Sequence, residues 1–127
     1  MVEQIFEQIL KNRGISKENR EAFLSPNYNN QHDPFLLPDM KKAVERLLIA
    51  HKKQEKITVY GDYDVDGVSA STVILTAFEK FGFKNVDYFL PDRFKDGYGM
   101  NERGVRVLAD RGTNLILTVD CGSLNHA

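Results

Sequence analysis

The sequence predicts an α/β protein, in which a parallel sheet with helices on both faces follows an all-helical N-terminal leader. In the second half of the chain, three short apolar segments rich in β-branched residues alternate with helical patterns, which is typical of a parallel sheet covered on both faces. In the first half, apolar residues recur at helical spacing. The length of 127 residues suffices for one domain with a core, and not for two full ones.

The leader is predicted over residues 1–56. Helical spacing of apolar residues predicts a first helix over 2–12 and a second over 17–24. Residues 25–38 contain three prolines and many polar side chains without a period, which predicts a connector. Asp39 is then expected to cap a third helix with one apolar stripe and basic residues outside it.

The α/β part is predicted over residues 57–127. Its elements, in chain order, are a strand over 57–60, a helix over 68–81, a strand over 86–90, a helix over 101–111 and a strand over 115–119. Because helices connect successive strands, we expect the strands to run parallel.

Composition excludes several classes of protein. The chain has 17 Lys and Arg against 18 Asp and Glu, so a net charge of −1 gives no overall attraction to nucleic acid or to an anionic membrane. The single cysteine, Cys121, excludes an internal disulfide framework and fits a reducing compartment. Neither a signal peptide nor an apolar run of membrane-spanning length is found. We therefore expect a cytoplasmic protein with no membrane partner.

Three carboxylates follow the first predicted strand: Asp62, Asp64 and Asp66, which are flanked by glycines. Ligands of open α/β sheets bind at the carboxyl ends of strands. In an extended chain these side chains would point to one side and crowd negative charge that a cation must neutralise. Carboxylate oxygens suit Mg²⁺ or Mn²⁺ better than zinc. The alternative is that they are turn and helix-capping aspartates on a solvated loop.

The third predicted strand also ends in an aspartate, Asp120. Two parallel strands that deliver aspartates at their carboxyl ends can converge on one site, so we expect Asp120 to join the three earlier carboxylates as a metal ligand. Asp64, Asp66 and Asp120 are the predicted catalytic carboxylates. A helix-capping role for Asp120 is the alternative. His126 could reach the site but has no predictable position.

Groups suited to binding a phosphate lie near the predicted carboxylates. Ser69 occupies the first turn of the predicted helix, where free N–H groups favour an anion. The loop over 91–100 carries four more predicted substrate-binding residues, Arg93, Gly97, Tyr98 and Gly99. A guanidinium beside aromatic rings suits a loop that binds a phosphate and stacks a base. Ordinary capping and a glycine-rich turn are the alternatives.

The charge of the α/β part favours metal-dependent binding of an anion. Residues 57–127 carry seven basic and ten acidic side chains, a net charge of −3 that would repel a phosphodiester. Two divalent cations would add about +4 and reverse the sign.

The chain resembles the DHH phosphoesterase superfamily and, within it, the RecJ family of single-strand-specific DNA exonucleases. Residues 61–68 are similar to the first motif of the superfamily, residues 119–122 to the second, and residues 91–100 to the P-x-R-x-x-x-G-Y-G stretch between them. Four segments of the leader follow the RecJ leader in order and spacing, namely 13–15, 23–26, 33–36 and 39–43.

The resemblance implies Mn²⁺- or Mg²⁺-dependent hydrolysis of single-stranded DNA from its 5′ end, in recombination and repair. It implies metal ligation by Asp64, Asp66 and Asp120, with Asp62 close by. It also implies that Arg93 binds the 5′ phosphate and that single-strand-binding proteins or helicases are partners.

The resemblance further implies an incomplete site. The Asp-His-His motif that names the superfamily lies downstream of the second motif, so we expect residues 57–127 to be the first part of a DHH domain, truncated before that motif. We expect the chain alone to bind metal weakly and to be inactive as a nuclease.

Two other functions stay open at this point. The segment from Asp64 to Val68 also resembles the nucleophile motif of haloacid-dehalogenase-type phosphatases, in which Asp64 would form an aspartyl intermediate. The chain could also be a non-catalytic module that binds nucleic acid through its leader and basic helix.

Overall fold

The computed structural model describes residues 2–123. The helices are α1 (Val2–Asn12), α2 (Arg20–Leu24), α3 (Met40–Lys53), α4 (Val65–Lys80) and α5 (Glu102–Asp110), and the strands are β1 (Ile57–Gly61), β2 (Val86–Phe89) and β3 (Leu115–Val119). The predicted order of helices and strands is confirmed. Within these residues, no helix combines the length and the apolar character needed to cross a bilayer.

The predicted connector contains two short 3₁₀ turns, Tyr28–Asn30 and Pro34–Leu36. A polar side chain begins each turn: that of Asn27 accepts a hydrogen bond from the Asn29 N–H, and that of Asp33 accepts one from the Phe35 N–H. Such side-chain bonds replace the backbone partners that a longer helix would supply. The connector is therefore locally ordered.

The chain divides into two compact units, and the boundary along the chain falls between Met40 and Lys41. This division falls earlier in the chain than the predicted end of the leader at residue 56. The reason is the apolar stripe of α3: Leu47 and Ala50 pack into the core of the sheet with Val59. The third helix of the predicted leader thus belongs to the α/β unit.

The sheet is parallel, and β1 lies between β2 and β3. All five residues of β1 are buried, as expected for a central strand with neighbours on both sides. The register pairs Gly61, the last residue of β1, with Val119, the last residue of β3. The carboxyl ends of the two strands are therefore level.

Helices cover both faces of the sheet. On one face, Val59 packs with Ala50 of α3 and Phe78 of α4. Successive side chains of a strand point to opposite faces, and the fully buried ring of Tyr60 lies on the other face against Gly104 of α5. The predicted two-sided architecture is thus confirmed.

Tyr60 connects the sheet to the loop that follows β2. Its hydroxyl group donates a hydrogen bond to the Gly99 carbonyl oxygen at 3.2 Å. A Cβ atom at position 104 would lie only 2.8 Å from that hydroxyl oxygen, so the absence of a side chain at Gly104 leaves room for the bond. The packing of α5 thereby anchors the loop.

Replacement of Gly104 by alanine should destabilise the fold by about 1 kcal/mol or more, because overpacking against the buried ring outweighs the better helix propensity of alanine. Urea unfolding measures the effect. The matched control is Arg106→Ala in the same helix, which removes an exposed ion pair with Glu102 and should change stability by less than about 0.5 kcal/mol. Equal stability of Gly104→Ala and the wild type would contradict this account of the packing.

Candidate metal centre

Two aspartates stand side by side at the carboxyl end of the sheet. Asp62 directly follows Gly61 and Asp120 directly follows Val119, and these two preceding residues are paired in the register of β1 and β3. The strand pairing itself brings the two carboxylates to one place. Asp62 is only 1% exposed, and its carboxylate accepts a hydrogen bond from the Tyr63 N–H at 2.8 Å.

Asp64 is the N-cap of α4, and its carboxylate lies close to those of Asp62 and Asp120. Its Oδ1 accepts hydrogen bonds from the N–H groups of Asp66 and Gly67, each at 3.0 Å. An aspartate is a favoured N-cap because it satisfies amide groups that have no partner within the helix. The cap fixes the Asp64 carboxylate at the first turn of α4.

Gly67 lets this first turn of α4 approach the end of β1. A Cβ atom at position 67 would lie 2.4 Å from the backbone oxygen and 2.6 Å from the backbone nitrogen of Asp62. Only glycine permits so close an approach of two backbones. The approach places the capping carboxylate of Asp64 near Asp62.

The result is a group of three carboxylates. Asp62, Asp64 and Asp120 each offer an oxygen atom, and these atoms lie within 4.8 Å of one another. Asp62 is buried, whereas Asp64 and Asp120 are exposed. Three oxygen ligands with an open side form an arrangement that suits a hard divalent cation and its waters.

Asp66 lies outside this group of three, and the expectation of an extended chain through the three aspartates is wrong. The cap at Asp64 starts α4 at Val65, three residues earlier than predicted, so Asp66 lies in the first turn of the helix. Side chains two residues apart on a helix do not share a face. The charge of Asp66 nevertheless acts on the group, because it helps to raise the pKa of Asp120.

Asp120 is under electrostatic and conformational strain. Desolvation raises the pKa of its carboxyl group, and the negative charges of Asp64, Asp66 and Asp62 raise it further, together with a hydrogen bond to Asp64. Its backbone lies in the left-handed region, with φ at 58°, which is costly for a residue other than glycine. Strain of this kind is typical of functional sites.

Two side chains of the predicted substrate-binding loop lie near the segments that carry the carboxylates. Tyr98 lines a cavity together with Asp120. The charge of Asp62 raises the pKa of Tyr98, with smaller contributions from desolvation and from Asp120. The guanidinium of Arg93 lies over the ring of Tyr63, 4.7 Å from its centroid. Tyr63 is the residue between Asp62 and Asp64.

The loop has a defined conformation. The carboxylate of Asp92 accepts hydrogen bonds from the N–H groups of Phe94 and Lys95, and the carboxylate of Asp96 pairs with Arg103. The two backbone hydrogen bonds lower the pKa of Asp92. Gly97 and Gly99 both have a φ of 74°, a conformation that favours glycine. These bonds and turns hold the loop at the edge of the sheet.

A cavity of about 620 Å³ adjoins the group of three. Its lining residues are Tyr98, Gly99, Thr118, Asp120, Cys121, Gly122 and Ser123. A cavity of about 870 Å³ lies between α1 and α2 in the N-terminal unit and contains none of the predicted site residues. The cavity beside Asp120 is thus the one relevant to the predicted chemistry.

Ser69 does not occupy the position expected for a first-turn phosphate site. Because α4 begins at Val65, Ser69 lies one turn into the helix, where it is exposed. The amides that would have favoured an anion are capped by Asp64 instead. His126 lies outside the described residues.

Two residues of the site escaped the prediction from sequence. Gly67 was counted only as a flanking glycine, although a glycine one turn after an N-cap is a signal of close backbone approach. Tyr63 was passed over between two aspartates, and its contact with Arg93 joins positions thirty residues apart. Because the two residues lie in different segments, the residue pattern of either segment does not predict their contact.

Comparison with known proteins identifies the family. Residues 56–127 match the family model described as "DHH family, N-terminal domain". The chain belongs to the DHH family.

Relatives of this DHH-family chain include single-stranded-DNA-specific exonucleases called RecJ. The chain is 44% identical over 115 residues to the one from Bacillus subtilis (strain 168), which covers 90% of this chain and 14% of the relative. It is 41% identical over 91 residues to the one from Escherichia coli (strain K12), covering 72% of this chain and 16% of the relative. The chain therefore spans about one seventh of the length of these curated relatives.

A solved structure shares the fold of this DHH-family chain. It is a crystal structure of exonuclease RecJ bound to manganese, with a TM-score of 0.64 and 34% sequence identity. The match covers 72% of this chain and 24% of that one. The oxygen-only ligands at Asp62, Asp64 and Asp120 fit a cation of this kind.

Replacement of Gly67 by alanine should both destabilise the fold, by about 1–3 kcal/mol, and weaken binding of Mn²⁺. The added Cβ would meet backbone atoms of Asp62, so α4 must move and carry Asp64 away. Urea unfolding and the Mn²⁺-dependent rise in melting temperature measure the two effects. Val68→Ala, at a neighbouring position that is 43% exposed, should change neither by much. Unchanged Mn²⁺ binding in Gly67→Ala would refute this role of the glycine.

Replacement of Asp120 by asparagine should weaken Mn²⁺ binding more than about tenfold while slightly raising the melting temperature in EDTA at neutral pH. A carboxyl group whose pKa is raised in the folded state costs stability when it is ionised, and asparagine removes this cost. Asparagine also tolerates the left-handed backbone. As the pH falls through the Asp120 pKa, the wild type becomes protonated and the difference in melting temperature should shrink. Calorimetry with and without Mn²⁺ measures both effects. Unchanged Mn²⁺ affinity in Asp120→Asn would exclude Asp120 as a ligand.

Proposed function

We propose that this chain supplies the first two metal-binding motifs of a single-stranded-DNA-specific exonuclease that hydrolyses phosphodiester bonds with Mn²⁺ or Mg²⁺. The observation that supports it best is the meeting of Asp62, Asp64 and Asp120 within 4.8 Å at the level ends of β1 and β3. The resemblance to RecJ exonucleases adds the substrate, single-stranded DNA.

The proposed metal ligands differ in their exposure to solvent and therefore in their proposed roles. Asp62 is the buried carboxylate, and Asp64 and Asp120 face the open side where a substrate phosphate can enter. Asp66 is proposed as a further ligand by its match to the first motif of the family. A divalent cation held by these carboxylates would offset the phosphodiester charge and would supply the Lewis acidity that activates water for in-line attack on phosphorus.

The loop over 91–100 is proposed to bind the 5′ end of the strand. Arg93 offers a guanidinium that pairs with a phosphate in a bidentate manner, and Tyr98 offers an exposed ring on which a base can stack. This proposal is supported by the cavity that Tyr98 lines together with Asp120. Ser69, exposed on α4, remains a proposed phosphate contact further along the strand.

The chain of 127 residues alone should bind Mn²⁺ weakly and degrade single-stranded DNA far below the rates of about 1 to 1,000 per second typical of enzymes. Within residues 2–123, the grouped carboxylates are too few to hold two cations. Release of nucleotides from a 5′-labelled single strand, with Mn²⁺ and with EDTA, measures the activity. Turnover at an enzymatic rate would contradict the proposal of an incomplete site.

The test of the function itself is Mn²⁺ binding, followed by calorimetry, in the wild type and in Asp64→Asn. Asparagine keeps the helix cap, so the fold should persist while metal affinity falls. Glu79→Gln, on the same helix, is the matched control because it removes an exposed carboxylate outside the group of three. Equal affinities of all three proteins would overturn the proposed metal centre.

Two further measurements separate the alternative functions. A covalent aspartyl phosphatase would form a beryllofluoride adduct at Asp64, which a metal-dependent nuclease would not form readily. A non-catalytic nucleic-acid module would bind single-stranded DNA equally well in EDTA and after Asp64→Ala. A role in DNA repair and recombination in the cytoplasm, with single-strand-binding protein or helicase partners, is proposed on the family resemblance.

A further inference from the structure

We infer that Tyr63 is a positioning residue: its ring holds the guanidinium of Arg93 at the segment that joins Asp62 to Asp64, ready to bind a terminal phosphate of a single strand. This role rests on the proposed contact between Arg93 and the 5′ end of the DNA. The segment from Asp62 to Asp64 would then both bind metal, through its two carboxylates, and position Arg93, through the ring of Tyr63.

Arg93 differs from Arg103 and Arg106, the two arginines of the following segment, in what contacts its guanidinium. The guanidinium of Arg93 lies over the ring of Tyr63, 4.7 Å from the centroid. Within residues 2–123, it forms no ion pair and donates no hydrogen bond, whereas Arg103 pairs with Asp96 and Arg106 pairs with Glu102. Arg93 is therefore held in place without its charge being neutralised.

A ring holds an arginine in a way that a carboxylate cannot. An aromatic ring attracts a guanidinium without accepting its N–H donors in conventional hydrogen bonds and without carrying a negative charge. A carboxylate partner would occupy those donors and cancel the charge. The contact with Tyr63 thus leaves Arg93 able to form a bidentate pair with a phosphate.

The position of Tyr63 is itself fixed from both sides. Its N–H donates a hydrogen bond to the Asp62 carboxylate at 2.8 Å. The next residue, Asp64, caps α4 through two hydrogen bonds of 3.0 Å. The ring therefore starts from a backbone held by the same bonds that position the metal-binding carboxylates. Arg93 is placed relative to the proposed metal site and not merely along its own loop.

An arginine that is already ordered loses less conformational freedom when it binds a phosphate. Removal of the ring should therefore weaken the preference for a 5′-phosphorylated strand over a 5′-hydroxyl strand. The expected loss is about twofold to fivefold, the range of an exposed cation–π contact. Metal affinity should stay unchanged, because the carboxylates remain.

The experiment uses NMR on the chain of 127 residues with Mg²⁺, and tetrathymidylate with either a 5′ phosphate or a 5′ hydroxyl as the probe. The first readout needs no variant: the side-chain protons of Arg93 should be shifted upfield by the ring current of Tyr63. The second readout is the ratio of the two dissociation constants in Tyr63→Leu, which loses the ring, and in Tyr63→Phe, which keeps it. Tyr88→Leu is the matched control, since Tyr88 is an exposed tyrosine of β2 over whose ring no guanidinium of residues 2–123 lies.

The inference expects an upfield shift and a full phosphate preference in the wild type, in Tyr63→Phe and in Tyr88→Leu. In Tyr63→Leu it expects the shift to be lost and the phosphate preference to fall by about twofold to fivefold. Unshifted Arg93 protons in the wild type would overturn it, and so would a full phosphate preference in Tyr63→Leu. A wild type that binds Mg²⁺ but prefers neither probe would overturn the inference together with the role of Arg93, while leaving the metal centre intact. A wild type that binds no cation would overturn the proposed function itself.

Discussion

The close approach of like charges at the end of the sheet is the constraint on which the site depends. Oxygen atoms of three carboxylates lie within 4.8 Å of one another, although their mutual repulsion opposes this approach. Desolvation, together with that repulsion, raises the pKa of Asp120. The fold holds the carboxylates there by backbone means: the level pairing of β1 with β3, and the contact of Gly67 with the Asp62 backbone. Neither contact can relax without breaking strand pairing or moving α4. The apolar core around Val59 and Phe78 thus supplies the energy that keeps the charges together.

The beginning of α4 serves the fold and the site with one side chain. As an N-cap, Asp64 satisfies two amides that would otherwise lack partners, and the same carboxylate is one of the three that could bind a cation. The two interpretations that the sequence left open, helix cap and metal ligand, therefore do not exclude each other. Because both hydrogen bonds go to Oδ1, the cap restricts rotation of the carboxylate and orders it before any cation arrives. Such preorganisation is what a metal site requires of its ligands.

Periodicity and local composition sufficed to predict the strands, because β1 and β3 are short apolar runs bounded by polar residues and glycines, and β1 is buried throughout. The convergence of Asp62 and Asp120 also followed from parallel topology alone. The start of α4 could not be predicted in this way, because an extended chain and a capped helix both accommodate alternating aspartates. Which of the two conformations forms depends on how Gly67 packs against the end of β1. The same tertiary dependence explains why α3 looked like part of the leader: an amphipathic stripe shows that a helix is covered, but not by which element.

The charged side chains of the α/β unit differ in whether they form ion pairs, and this difference bears on the proposed sites. Three guanidiniums of this unit, those of Arg46, Arg103 and Arg106, are paired with carboxylates, which removes them from competition for an anion. Arg111 lies over the ring of Phe89. The carboxylates of the site are left without such partners, as is Arg93, which instead lies over Tyr63. If Arg93 formed an ion pair with one of these aspartates, the proposed metal site and the proposed phosphate site would each lose a group. The contact with Tyr63, the residue between Asp62 and Asp64 in sequence, holds Arg93 without an ion pair, so that its charge and those of the carboxylates both stay available to a metal-dependent site for an anionic strand.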